Sequence, residues 1–134
     1  MDLSTINWLA VLVAAISAFV LGGLWYSPVL FAKPWLAASG VDEEAVKKDN
    51  MAAKFGIAFI WSLLGAACFA MFIGPKPDLT FAVAAGAATG FFWITGSYGI
   101  NYQFERRPFS LLAINGGYHV AQYTIYGLIL GLWH

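Results

Sequence analysis

Every charged side chain of this sequence stands in one of four short windows, 1–2, 33–54, 76–78 and 105–107. The rest is four uncharged runs, 3–32, 55–75, 79–104 and 108–134. A membrane-spanning helix needs about 20 predominantly apolar residues, and each run is long enough. A soluble bundle of the same helices would need a polar, solvated face on each, and no run carries one. The fold class expected is therefore all-α integral membrane, a four-transmembrane-helix bundle. Composition excludes the other broad classes. Charged residues make up 10% and hydrophobic ones 60%, against about 25% charged in ordinary soluble domains. Disorder requires low hydrophobicity. A net charge of zero leaves no broad basic face for nucleic acid.

The runs predict a single polytopic domain over 1–134, with spans at about 6–26, 52–73, 79–100 and 110–132. The first run reads as a retained span, because a cleaved signal starts with a positive segment and no Lys or Arg precedes Lys33. After it, Ser27-Pro28 breaks the helix. Residues 28–40 are too apolar for a free loop and too short to span, which predicts an interfacial elbow bent at Pro34 and stopped at Gly40. Asp42 is placed to cap a helix that continues into span two, with Glu43/Lys47 and Glu44/Lys48 as i,i+4 pairs. Gly74–Asp78 is a tight turn, and 101–109 a short polar and aromatic loop. Lys33, Lys47, Lys48, Lys54, Arg106 and Arg107 share one side, against Lys76 alone on the other. Positive loops stay cytoplasmic, which predicts a multi-pass protein of the cell membrane with both termini outside. Cys68 is the single cysteine, so no internal disulfide can form.

Helical periodicity sorts the residues of each span into faces. At about 100° per residue, Asn115, His119, Gln122 and Tyr126 fall in one stripe about 60° wide on span four. Amides and imidazoles are costly against lipid, so this stripe is expected to face protein. A second arc holds Gly116, Val120, Gly127 and Gly131; small residues let helices approach closely. The third arc, Ile114, Tyr118, Ala121, Ile125, Leu128, Ile129 and Leu132, is expected to face lipid. Small or weakly polar stripes recur on the other spans: Ala10, Ala14, Ser17 and Ala18; Ala58, Ser62, Gly65, Ala66 and Ala70; Ala82, Gly86, Thr89, Gly90, Trp93, Gly96 and Ser97. Matching depth in the bilayer brings Ser17, Ser62 and Trp93 to the level of His119.

The polar stripe is the candidate site, with Asn115, His119, Gln122 and Tyr126 joined by Ser17, Ser62 and Trp93. Its alternative role is packing alone, through interhelical hydrogen bonds worth about 0.6 kcal/mol each. Gly86, Gly90, Gly127 and Gly131 are helix-packing candidates. No catalytic residue is expected: there is no Gly-x-Ser-x-Gly run and no intramembrane acid to complete a Ser/His/Asp set. No metal is expected either, since structural zinc wants four ligands and the spans offer one imidazole. Proton-coupled export is disfavoured because no Asp or Glu lies inside a span. The leading expectation is a non-enzymatic, self-associating bundle with membrane lipids as partners, holding a lipid-like or small apolar ligand beside the polar stripe. A transporter or channel subunit acting as a homo-oligomer is the second reading. A membrane protein that clamps haem or another cofactor between two His119 side chains is the third.

The run Gly22-Gly23-Leu24-Trp25-Tyr26-Ser27-Pro28, followed by Phe31 and Trp35, resembles the signature of a known group. So does the Gly116-Gly117-Tyr118-His119 segment of the last span. The sequence is similar over nearly its whole length to the bacterial and fungal four-span membrane family catalogued as domain of unknown function seventeen-sixty-one. The resemblance implies four spans with an elbow after the first. That family has no assigned activity, so it implies no catalytic residue.

Overall fold

Side chains that favour helix starts set the boundaries of the chain. Asn7 accepts a hydrogen bond from the Ala10 amide and opens α1, Trp8–Trp25. Asn50 does the same with Ala53 for α4, Met51–Ile73, and Asp78 with Phe81 for α5, Leu79–Ala88. Each cap satisfies an amide that has no partner inside its own helix. The computed structural model describes residues 2–134, and among these there is no strand. Between α1 and α4 lie α2, Ala32–Ser39, which ends at Gly40 in the left-handed region (φ 69°), and α3, Glu43–Lys47. The α5 helix passes without a break through a π-helical segment, Thr89–Thr95, into α6, Gly96–Glu105. The last element is α7, Phe109–Leu132.

Three helices are long and apolar enough to cross a membrane: Trp8–Trp25, Met51–Ile73 and the continuous helix Leu79–Glu105. The α7 helix is 24 residues long, but Asn115, His119, Gln122 and three tyrosines make it less apolar. It is also the helix that the others surround. It packs most extensively on α5 and the π segment, then on α1, and touches α2, α4 and α6. Its Gln122, Tyr126, Gly127 and Leu130 are buried. The core joins Ala10, Ala14 and Ala18 of α1 to Ala66, Phe69 and Ala70 of α4 and Tyr126 of α7.

The glycines explain how α5 and α7 come so close. A Cβ on Gly86 would collide with the Tyr123 backbone, one on Gly90 with His119 and Val120, one on Gly127 with Ala82, and one on Gly131 with Leu79. Each step along α5 is matched by a step back along α7, so the two are antiparallel with backbones in contact. All four predicted packing glycines therefore seat contacts within one chain.

The structure departs from the sequence reading in five places. The elbow is not bent at Pro34: that residue lies in the first turn of the uninterrupted helix Ala32–Ser39, where a missing N–H costs nothing. The helix expected to run from Asp42 into the second apolar run is broken after Lys47, because Asn50 caps a new helix. The ion pair on α3 is Lys47 with Glu44, one residue closer in sequence than either expected pair. The third apolar helix runs on to Glu105, through most of the expected loop, and stops with Arg106 in the left-handed region. The arc of α7 expected to face lipid is partly covered by α1: the Trp25 indole donates to Ile114 O at 2.9 Å and the Tyr118 hydroxyl to Ala18 O at 2.8 Å. Periodicity marks an apolar face but does not distinguish lipid from another helix.

Candidate functional site

The π segment positions half of the site. Along α5 the inward residues step by four, Ala82, Gly86 and Gly90, all buried. A π turn holds an extra residue, so the next inward side chain is Thr95. Its hydroxyl lies 2.8 Å from Gly90 O and 3.2 Å from Gly116 O, sharing one proton between them. The same shift turns Tyr98 and Tyr102 toward α7. It turns Trp93 away: that indole is 63% exposed and packs edge-on against Phe72 of α4.

Four of the expected residues do come together. The Tyr126 hydroxyl, fully buried, donates to Ser62 O at 3.1 Å. Having given its only proton there, it accepts from Gln122 Nε2 at 2.8 Å. The Gln122 carbonyl therefore faces His119 and accepts from Nδ1–H at 2.6 Å. This leaves His119 Nε2 as an acceptor, and the Tyr98 hydroxyl donates to it at 3.4 Å. The direction of the whole chain is fixed by the Ser62 carbonyl, which can only accept. Asn115 lies one turn up α7 and starts a separate group: its Oδ1 accepts from the Tyr26 hydroxyl at 2.7 Å, and its Nδ2 donates to the Tyr102 hydroxyl at 2.9 Å.

The two serines are placed differently. Ser62 enters through its backbone carbonyl, while its hydroxyl bonds Ala58 O in its own helix. Ser17 bonds Ala14 O within α1 and does not reach His119. Among the described residues, no three His, Cys, Asp or Glu side chains gather to hold a metal.

Beside these groups is a cavity of about 620 Å³ that opens between α2, α3 and the ends of α1 and α6. Tyr26, Trp35, Tyr98, Asn115, Tyr118 and His119 form its inner wall, with Glu43 and Lys47 on α3 at the mouth. Tyr26 and Tyr118 also line a groove of about 710 Å³ between α1 and α4, with Phe19, Gly22, Gly23, Met51 and Phe55. The first eight residues of α4 are all exposed, and within them Phe55 meets Phe19 of α1 edge to face along this groove. On its far side His119 borders a cavity of about 270 Å³ with Ser62, Ile94 and Tyr123. Ile94 and Tyr123 in turn border one of about 420 Å³ with Cys68, Phe72 and Phe81.

A family model described as Protein of unknown function (DUF1761) matches residues 9–131. The chain belongs to that family. No curated protein and no solved structure matches it. The run that carries the DUF1761 resemblance, Gly22 to Pro28, forms the end of α1 and its exit, and it delivers both Trp25 and Tyr26 to α7. Periodicity along α7 alone missed Tyr26, Trp35, Tyr98, Tyr102 and Tyr118. The available signal was Trp25-Tyr26 in the motif and the four-residue spacing of Tyr98 and Tyr102.

Proposed function

We propose that this DUF1761 protein is a four-span membrane protein that holds a small amphiphile, with its polar end in the cavity beside His119 and its apolar end in the groove between α1 and α4. The observation that carries this reading is the shared wall: Tyr26 and Tyr118 border both spaces. An aromatic wall with a few fixed polar groups is the usual make-up of a small-molecule site. Four spans are supported by the course of α7. Arg107 Nη1 donates to Ser39 O at 2.7 Å at one end of the molecule, and Asn7 Nδ2 to Trp133 O at 3.4 Å at the other. The helix thus returns the full length of α1, and its 24 residues cover about 36 Å at 1.5 Å per residue. The lysines and arginines gathered at the α2–α3 end support a cytoplasmic elbow with both termini outside.

The site is complete within one copy, so ligand holding does not depend on self-association. Gly86, Gly90, Gly127 and Gly131 are occupied by the contact of α7 with α5 and the π segment, which leaves them unavailable to a second copy. His119 is stacked on Tyr98 and bonded to Gln122 inside the bundle, an arrangement that does not favour a haem held between two copies.

Native mass spectrometry of the protein in mild detergent tests the reading. A retained adduct of amphiphile mass is expected, and it is lost when Ala32→Trp fills the cavity. A bare wild-type protein, or an adduct indifferent to Ala32→Trp, overturns it.

Movement of the amphiphile across the bilayer is a second reading, favoured by the cavities that adjoin one another from His119 to Phe81 along the gap between α4 and α5. Vesicles containing the protein would then exchange a fluorescent amphiphile between leaflets faster than empty vesicles. Equal rates dispose of it.

A further inference from the structure

The hydrogen-bond directions around the cavity say which charge its occupant carries. The Tyr26 hydroxyl gives its proton to Asn115, the Tyr98 hydroxyl to His119 Nε2 and the Tyr118 hydroxyl to Ala18 O. The imidazole gives its own N–H to Gln122. All three phenolic protons and the imidazole proton of the inner wall are thus spent on protein acceptors. What remains on the inner wall is oxygen lone pairs, the π faces of Tyr26, Trp35, Tyr98 and Tyr118, and two N–H groups, the Trp35 indole and the second hydrogen of the Asn115 amide. At the mouth, the Lys47 ammonium is held by Glu44 at 3.2 Å. No ion pair reaches Glu43 among the described residues. An electron-rich aromatic wall with an unpaired carboxylate at its opening favours a cation over an anion.

We infer that the polar end of the ligand is an organic ammonium group, seated against Tyr26, Trp35, Tyr98 and Tyr118 with Glu43 as its counter-charge. This rests on the cavity being the ligand site and adds the chemical class of what enters. The group is the head of a zwitterionic lipid or a free amine; the recognising chemistry is the same.

The test uses the full chain in phosphatidylglycerol nanodiscs and two probes of one shape. One is choline; the other is its uncharged isostere, with a quaternary carbon in place of nitrogen. Calorimetry is expected to show choline binding about tenfold tighter or more, as a desolvated cation–π contact implies. The preference shrinks severalfold in Glu43→Gln, an exposed position where folding is not at stake, and is lost in Tyr98→Leu. Equal binding of the two probes, with both displaced by Ala32→Trp, overturns the ammonium inference and leaves the cavity reading standing. No binding of either probe overturns the inference, and an absent adduct in native mass spectrometry then removes the cavity reading as well. Repeating the titration in discs that contain phosphatidylcholine separates the two sources. Competition points to a lipid head group and unchanged binding to a soluble amine, and either result supports an ammonium site.

Discussion

The ring of Tyr98 lies on the ring of His119, with centroids 5.5 Å apart and planes 22° from parallel. The two residues meet because the π turn inserts one residue between Gly90 and Thr95. A regular helix would rotate Tyr98 off this face and bring Trp93 inward. π turns are rare and recur at functional sites, and here the turn builds one wall of the cavity.

Thr95 is the side chain that holds this turn, through Gly90 O and Gly116 O. Thr95→Val keeps the shape and removes the hydroxyl. It is expected to lower stability by about 1 kcal/mol and to weaken choline binding, whereas Thr95→Ser retains both. Denaturant unfolding in micelles measures the first and calorimetry the second. A Thr95→Val protein as stable as wild type would show that the turn does not depend on this bond.

Gly127 and Gly56 give opposite outcomes for the same substitution. A methyl at Gly127 meets the Ala82 carbonyl carbon at 2.6 Å and Val83 Cα at 3.0 Å, while one at Gly56 meets nothing within 4 Å. Gly127→Ala is expected to destabilise by about 1–3 kcal/mol, because backbone cannot move aside as a side chain can. Gly56→Ala is expected to stabilise by about 0.5–1 kcal/mol, since it restricts the unfolded chain and favours helix. The same sign for both variants in a thermal unfolding assay would contradict the close approach of α5 and α7.

Arg106 occupies the left-handed region with φ 60° and ψ 35° at the end of α6. A side chain there costs about 1–2 kcal/mol that glycine avoids. Arg106→Gly is therefore expected to raise the unfolding midpoint, while Arg107→Ala lowers it by removing the 2.7 Å bond to Ser39 O. Hydrogen exchange at the α2 amides should quicken in Arg107→Ala alone.

The proposed orientation predicts labelling from opposite sides. In a Cys68→Ala background, Asp78→Cys should react with an impermeant maleimide added to intact cells, and Glu105→Cys only after the membrane is opened. The reverse pattern would invert the topology. Labelling of both positions from outside would remove the crossing between them.

Much of this architecture is legible in the order of the residues. The confinement of charge to short windows marked the apolar helices, since no ionised group is cheaply held in oil. Alanines at helical spacing named the buried face of α1. His119, Gln122 and Tyr126 are linked as neighbours on one helix face, whereas Asn115 of the same stripe bonds Tyr26 and Tyr102 instead. Relationships between helices were not legible. A single extra residue in a π turn moved Trp93 out and Tyr98 in, a change that extrapolation at fixed periodicity cannot register. The arc of α7 assigned to lipid was partly claimed by α1, because hydrocarbon and packed side chains ask the same apolarity of a sequence. Local composition thus decided which segments are helical and apolar. Only the three-dimensional packing decided which glycines touch which backbones, which way each proton points, and where space was left for something else.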